Sequence, residues 1–175
     1  MRRGDQRAFT ELYRRRQPGI HRFVWHMAGS RAVADDVTQE VFLAMIRQLD
    51  AFDPQRGTVV AYLYAIARRH TSRALRDQHV AVPLEDAPAS CISTNDEHPL
   101  ERLSHEERLR TVRRWLVTLP AHYREALVLC DVQGVDYAAA ARSLGCPIGT
   151  VRSRLHRARA LLLKRLRAVG VVGGV

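Results

Sequence analysis

Residues 136–158 read DYAAAARSLGCPIGTVRSRLHRA, a stretch that encodes two helices separated by a tight turn. Asp136 is a residue type that caps helix N-termini, and Gly145 is the type that ends helices in the left-handed conformation. We therefore predict a short alanine-rich helix between these two residues. A tight turn at Pro147 should follow, and Thr150 should cap the second helix.

The second of these helices separates apolar from cationic side chains. At 3.6 residues per turn, one face carries the apolar residues Val151, Leu155, Ala158, Leu162 and Leu166. The other face and its flanks carry Arg152, Ser153, Arg154, His156, Arg157, Arg159 and Lys164. An ordinary solvated helix would intersperse glutamate among such charges, and none occurs here. Because arginine can bridge O6 and N7 of guanine and the major groove admits one helix, we predict that this face contacts DNA.

Charge divides the chain into three blocks. The formal net charge is +10 over 175 residues, which suits a polyanionic partner such as nucleic acid. Residues 1–78 hold 14 arginines and 8 acidic residues, residues 79–107 hold 1 arginine and 7 acidic residues, and residues 108–175 hold 13 basic and 3 acidic residues. The middle block is also rich in proline and serine, which break helices and resist packing. We therefore predict a flexible acidic linker at 79–107 between domains at 1–78 and 108–170.

The N-terminal block shows helical periodicity and no alternating strand pattern. Apolar residues recur at spacings of three to five, which predicts an amphipathic helix from about Ala34 to Leu49. Asp35 and Asp36 lie near its predicted start, where the helix dipole favours anions. A turn around Pro54 precedes a second predicted helix with arginines on its outer side. The predicted fold class is therefore all-α, with two small helical domains.

Several separated motifs resemble those of a known family. Residues 119–127 (LPAHYREAL) and 145–159 (GCPIGTVRSRLHRAR) resemble region 4 of the extracytoplasmic-function sigma factors of the sigma-70 family. Residues 34–42 (ADDVTQEVF) resemble the region 2 helix that binds the clamp of the polymerase beta-prime subunit. Residues 62–68 (YLYAIAR) resemble the adjoining helix that meets the minus-10 element. The resemblance implies an RNA polymerase sigma factor with sigma region 2 in the first block and sigma region 4, with its helix-turn-helix, in the last.

The resemblance also implies three sets of functional residues. The set expected to meet the minus-35 duplex is Arg124, Thr150, Arg152, Ser153, Arg154, His156 and Arg157. The set expected to hold the opened minus-10 strand is Arg56, Tyr62, Tyr64, Arg68 and Arg69. The set expected to bind polymerase is Asp35, Asp36, Gln39, Glu40 and Phe42. For Tyr62 and Tyr64, plain packing in the core stays an open alternative.

Three positions of the first block depart from the family pattern. Tyr62 stands where the family usually has tryptophan, Arg69 where it has asparagine, and Arg73 where it has aspartate. The two arginines add positive charge, so attraction to the DNA backbone should be at least as strong as in the family.

The expected partners follow from the same resemblance. They are core RNA polymerase, through its beta-prime clamp and beta flap, promoter DNA, and an anti-sigma factor. No cofactor or metal is expected, because the 8 histidines lack ligand spacing and the 3 cysteines form no CxxC pair. Cys130 and Cys146 should be small buried side chains. No apolar run approaches the roughly 20 residues that cross a bilayer, and the N-terminus lacks a signal-peptide core, so we expect a cytoplasmic protein without membrane insertion.

Three other functional classes rank lower. An enzyme acting on nucleic acid is disfavoured because the chain has no Gly-rich phosphate loop, HExxH or GxSxG motif. A free-standing helix-turn-helix transcriptional regulator is the main alternative, but it leaves the first block without a role. A membrane-surface protein ranks last, because the outer face of the last helix lacks the Trp and Phe that anchor such helices.

Overall fold

The chain is described by a computed structural model at residues 6–49, 52–55, 57–81 and 105–168. These ranges contain helices and turns and no strand, which confirms the all-α prediction. The helices are α1 (Gln6–Ala28), α2 (Arg31–Arg47), α3 (Val59–Ala81), α4 (His105–Thr118), α5 (Ala121–Leu127), α6 (Tyr137–Leu144) and α7 (Ile148–Ala168). A π-helical segment, Val128–Val132, continues α5.

The predicted linker at 79–107 falls almost wholly outside the described residues. α3 extends to Ala81 and α4 begins at His105, so both ends of that segment are helical. The rest of it, residues 82–104, and Arg56 of the predicted minus-10 set lie outside the described residues.

The start of α2 differs from the prediction. Ser30 is the N-cap, and its hydroxyl accepts a hydrogen bond from the Val33 amide at 3.4 Å. The helix therefore begins at Arg31, before the predicted Ala34, because a serine side chain can satisfy an otherwise unpaired amide of the first turn. Asp35 consequently lies in the second turn of α2 rather than at its start, and its side chain is exposed.

The helix-turn-helix forms where the sequence predicted it. The Asp136 carboxylate accepts from the Ala139 amide at 2.8 Å, and Gly145 ends α6 with a φ of 64°. The predicted cap of α7 at Thr150 is wrong: α7 begins earlier, and the carbonyl oxygen of Pro147 accepts from the amides of Thr150 and Val151 at 2.9 and 3.2 Å. Proline is accepted here because the position needs only a carbonyl acceptor.

The core runs continuously through both halves of the chain. α1, α2 and α3 form the N-terminal half, and α4 to α7 form the C-terminal half. Phe23 and Leu63 of the first half belong to the same buried cluster as Leu129 and Leu155 of the second. The two halves thus pack against each other, chiefly through α3 and α6, rather than standing apart.

Burial tests the predicted apolar faces of the helices. Val151, Leu155 and Ala158 of α7 are buried and Leu162 is half-buried, as the periodicity predicts, while the side chain of Leu166 lies outside the described residues. Cys130 and Cys146 are free and half-buried, so they are less buried than the sequence predicted. Both still pack against the core, and burial raises the pKa of the Cys130 thiol to about 11, which keeps it protonated.

Candidate nucleic-acid and polymerase interface

The first three turns of α7 present polar and basic side chains to solvent. Arg152, Ser153, His156 and Arg157 are exposed. Arg157 donates a hydrogen bond to the Tyr123 hydroxyl at 3.3 Å, and Ser153 donates to the Thr150 carbonyl at 3.0 Å. Thr150 and Arg154 of the predicted minus-35 set are half-buried. Most of that set therefore shares one open face on the second helix of the helix-turn-helix.

Arg159 has a separate environment on the same helix. Its guanidinium donates to both carboxylate oxygens of Asp131, at 2.9 and 2.7 Å. This hydrogen-bonded pair raises the pKa of Arg159 above its ordinary value. Because the donors of Arg159 are engaged within the chain, it is a natural comparison for the open arginines.

Arg124 is the member of the minus-35 set that lies on α5 rather than on α7. It is half-buried, and its guanidinium donates to the carbonyl oxygens of Met27 and Leu119. Burial lowers its pKa, an effect that the neighbouring Glu125 partly offsets. Arg124 thus ties α5 to the end of α1, a contact that sequence reasoning missed because it joins residues distant in the chain.

The predicted minus-10 set divides between buried and exposed side chains. Tyr64 is 6% exposed, and its ring packs edge-on against Phe23 with centroids 5.4 Å apart. Tyr62 is half-buried with its ring 5.5 Å from that of Phe52, while Arg69 is exposed. The alternative left open for Tyr64, packing in the core, describes its position here.

Arg68 of the same set faces the second half of the chain. Its Nη1 lies 3.9 Å from a carboxylate oxygen of Glu125, which is 7% exposed. Burial raises the pKa of Glu125, and the positive charges of Arg68, Arg154 and Arg124 partly oppose that rise. This long ion pair connects α3 of one half to α5 of the other.

The acidic residues of the predicted polymerase-binding set are exposed along α2. Asp35, Asp36, Gln39 and Glu40 all reach solvent. His21 of α1 places Nε2 2.9 Å from Asp35, and His70 of α3 places Nδ1 2.8 Å from Glu40. Two histidines from neighbouring helices therefore flank the acidic surface, a pairing that the linear sequence did not suggest.

Phe42 has a different place from the rest of that set. It is 3% exposed, and its ring lies 4.7 Å from Tyr13 and 6.4 Å from Phe9 between centroids. Leu43 and Ile46 are instead 49% and 50% exposed. The predicted polymerase-binding set did not include these two apolar residues, although Gln39, Leu43 and Ile46 follow an i, i+4, i+7 pattern on one face.

Neither a metal-ligand cluster nor a membrane-spanning helix is found within the described residues. No three His, Cys, Asp or Glu side chains within them approach closely enough to hold a metal ion. Across the same ranges no helix has the length and apolar character required to span a membrane. The arrangement offers a basic face on α7, a mixed basic and aromatic face on α3, and an acidic and apolar face on α2.

Two family descriptions match the two halves. Sigma-70 region 2 matches residues 12–80, and Sigma-70, region 4 matches residues 109–162. Together they cover the larger part of the chain, in the order expected from the motifs. Because the first half also matches a sigma factor region, a sigma factor is favoured over a free-standing DNA-binding regulator.

Individual relatives align along most of the chain. The ECF RNA polymerase sigma factor SigC of Mycobacterium tuberculosis is 35% identical over 92% of this chain and 84% of its own length. SigW of Bacillus subtilis is 28% identical over 95% of this chain and 93% of its own length. SigE of Mycolicibacterium smegmatis is 33% identical over 89% of this chain. The aligned part covers 62% of the length of SigE.

Solved structures extend the similarity to both halves. CnrH, in a complex with the cytosolic domain of CnrY, superposes with a TM-score of 0.70 and 29% identity over 94% of this chain and 91% of that chain. The sigma factor RpoE of Bartonella quintana, in a complex with the anti-sigma factor NepR, gives 0.71 and 25% over 91% of this chain and 97% of that chain. With both regions matched and relatives above 30% identity aligned across it, the chain belongs to the extracytoplasmic-function sigma factors of the sigma-70 family, the subunits with which RNA polymerase initiates transcription at promoters.

Proposed function

We propose that this sigma factor reads its promoters with α7 and α3 and docks on core polymerase with α2. The observation that carries this proposal is the open face of α7, where Arg152, Ser153 and Arg157 are exposed while Val151 and Leu155 are buried. A helix held by its apolar side, with its basic side free, can enter the major groove at the minus-35 element. Arg157 and Arg152 are the side chains long enough to form bidentate contacts with guanine.

The minus-10 element is assigned to α3 and the turn before it. Single-stranded recognition uses aromatic faces beside a cationic groove. On α3, Tyr62 and Arg69 supply such groups, and Tyr64 and Arg68 are more covered. Arg56 belongs to the same set by its place in the sequence. Arg73, where the family has an acid, adds attraction to the DNA backbone.

Polymerase docking is assigned to the exposed face of α2. Asp35, Asp36, Gln39 and Glu40 supply charge for the beta-prime clamp, and Leu43 and Ile46 supply an apolar centre. Such a surface combines steering by charge with burial of apolar area. Phe42 supports this face from below, since its ring lies in the core. The C-terminal half is assigned to the beta flap by resemblance.

An anti-sigma factor is the proposed regulatory partner. The superposition on RpoE of Bartonella quintana, which was solved with the anti-sigma factor NepR, supports this assignment because it covers both halves of the chain. The domain limits at 1–78 and 108–170, with a linker at 79–107, belong to the same proposal. The chain would act in the cytoplasm beside the polymerase, without catalytic chemistry, cofactor or metal of its own.

Run-off transcription tests the proposal. Core polymerase is incubated with fragments of the source genome, with and without this chain, and transcripts are mapped. Start sites that depend on the chain and share two upstream elements are expected. If the chain neither binds core polymerase nor changes start sites, but shifts duplex DNA alone, the free-standing regulator becomes the better description.

A further inference from the structure

We propose that Tyr123 is a positioning residue for minus-35 recognition, whose hydroxyl holds the guanidinium of Arg157 in place for contact with DNA. Tyr123 belongs to none of the three sets of functional residues expected from the sequence. This inference rests on the proposed function, because it takes Arg157 as a side chain that meets the minus-35 duplex. The contact that carries it joins two helices, since Tyr123 lies on α5 and Arg157 on α7.

A single hydrogen bond links the two side chains. Nη1 of Arg157 donates to the hydroxyl oxygen of Tyr123 at 3.3 Å, between residues that are 34 positions apart in the sequence. Within the described ranges, the side chain of Arg157 makes no other hydrogen bond or ion pair. The hydroxyl of Tyr123 is therefore the group that gives this exposed guanidinium a preferred direction.

Tyr123 is itself fixed in place by its helix. It lies in the first turn of α5, is half-buried, and packs against the hydrophobic core. Its ring lies edge-on to that of His122, with centroids 4.0 Å apart. The helix beneath it is held firmly, because Ala126 and Leu127 are buried and α5 packs against α7. The hydroxyl is thus a fixed acceptor beside a long and exposed side chain.

Holding Arg157 before DNA arrives reduces the cost of binding. An arginine side chain has many rotamers, and a contact with DNA in one geometry removes that freedom. A hydrogen bond that already favours one direction in the free protein lowers this entropic loss. Tyr123 can therefore increase affinity through Arg157 without contacting DNA itself.

A neutral hydroxyl orients the arginine without occupying its charge. The guanidinium has several N–H donors, and the bond to Tyr123 uses a single one, so Arg157 can still form a bidentate contact with guanine or phosphate. Arg159 on the same helix shows the contrasting case. Its Nε and Nη2 both donate to the carboxylate of Asp131, a negative group that DNA would have to displace. The two arginines thus differ in availability because their partners differ in charge.

Tyr123→Phe tests this role, because it removes the hydroxyl and keeps the ring. Holoenzyme assembled from core polymerase and the full-length chain is bound to a promoter mapped by run-off transcription, and to versions with altered minus-35 base pairs. Tyr123→Phe should weaken binding to the matched promoter by about 3- to 10-fold, the usual effect of losing one hydrogen bond. Its losses across the altered promoters should follow the pattern of Arg157→Ala, while the melting temperature of the free chain stays unchanged.

A double-mutant cycle separates positioning from direct contact. In the Arg157→Ala background, Tyr123→Phe should cause no further loss of binding, because the hydroxyl then has no guanidinium to hold. Additive losses would show that Tyr123 contacts DNA by itself. Unchanged binding by Tyr123→Phe alone would show that the hydrogen bond has no role. Either result overturns the proposal.

Tyr137→Phe is the matched control on the neighbouring helix α6. The guanidinium carbon of Arg152 lies 5.9 Å from the centroid of the Tyr137 ring, and phenylalanine keeps that ring. Binding should therefore change by less than about twofold. Equal losses in Tyr123→Phe and Tyr137→Phe would overturn the proposal. If the wild-type holoenzyme binds matched and altered minus-35 sequences equally, it is the proposed function of α7 that fails.

Discussion

The two helices that we propose to meet DNA, α7 and α3, differ in how exposed their candidate DNA-binding side chains are. On α7, Arg152, Ser153, His156 and Arg157 are exposed, and apolar residues on the opposite side pack the helix into the core. On α3, Tyr64 is buried, Arg68 faces Glu125, and Arg69 alone of these three is exposed. A duplex groove can accept a helix whose polar face is exposed, whereas Tyr64 of the proposed minus-10 set is covered by packing within the chain.

This contrast distinguishes residues expected to contact DNA from residues expected to stabilise the fold by packing in the core. A substitution on α7 should change DNA binding and leave the free energy of unfolding almost unchanged. A substitution at a covered position of α3 should first lower the free energy of unfolding. Four experiments can break or sharpen this distinction.

Tyr64→Ala should have the largest effect on stability. Removing a ring that is 6% exposed and packed on Phe23 should lower the free energy of unfolding by about 3–5 kcal/mol. Chemical denaturation measures this. Tyr64→Phe keeps the ring and should cost far less, since the hydroxyl makes only a 3.5 Å contact with Gln133. If Tyr64→Ala instead leaves stability intact and abolishes transcription, Tyr64 acts by contacting DNA.

Arg157→Ala should weaken promoter recognition without unfolding the protein. If Arg157 reads a base, its loss should cost about 1–3 kcal/mol, or about 5- to 150-fold in affinity for a matched minus-35 duplex. Holoenzyme binding to matched and altered duplexes measures this. Arg159→Ala is the matched control, because its guanidinium is engaged by Asp131. Equal weakening on all sequences would mean that Arg157 contacts phosphate only.

Ser143→Ala should have a smaller effect on stability. It removes a hydrogen bond to the Ala61 carbonyl, and we expect a loss of about 1 kcal/mol in the free energy of unfolding. Because Ser143 is 2% exposed and belongs to none of the sets expected to bind DNA or polymerase, transcription with core polymerase should be retained. Loss of transcription with unchanged stability would mean that Ser143 contacts a partner.

The smallest effect concerns pH. Burial, with the positive charges of Arg113 and Arg22, lowers the pKa of His26 to about 4 from 6.5. Below pH 6.5 the unfolded chain binds a proton that the folded chain refuses, so His26 should make the protein less stable as pH falls towards 4. Melting temperatures at pH 7.5 and 5.0 measure this in wild type and His26→Gln.

The pKa of Glu125 is also shifted, and the His26→Gln variant separates the contribution of His26 from that of Glu125. Glu125, whose pKa is raised, acts in the opposite direction in both proteins. Between pH 7.5 and pH 5.0, the melting temperature of the wild type should therefore fall further than that of His26→Gln. Equal losses would show that His26 is not held neutral by its surroundings.

Much of the fold and of the α7 site was readable in the sequence. Asp136 and Gly145 fixed both ends of α6, and the 3.6-residue spacing of Val151, Leu155 and Ala158 chose the buried side of α7. These are local effects, because a cap, a left-handed glycine and a helix face depend on neighbours within a few residues.

The first residues of α2 and α7 were predicted less accurately than the helices themselves. Ser30 capped α2 before the expected start, and α7 began at Ile148, before the expected cap at Thr150. Several residue types can stand at the start of a helix, so helix boundaries are predicted less firmly than the helices themselves.

The sequence by itself determined that the chain is helical and that its last helix has one apolar and one basic face. It also determined that an acidic block at 79–107 lies between two basic blocks. Only the tertiary structure decided which functional residues are covered. Arg124 reaches Met27 and Ser143 reaches Ala61 across 97 and 82 residues of sequence. Such pairs depend on how the surfaces of two helices fit together. The periodicity of one helix shows which of its faces is buried, but not which residues of another helix pack against that face.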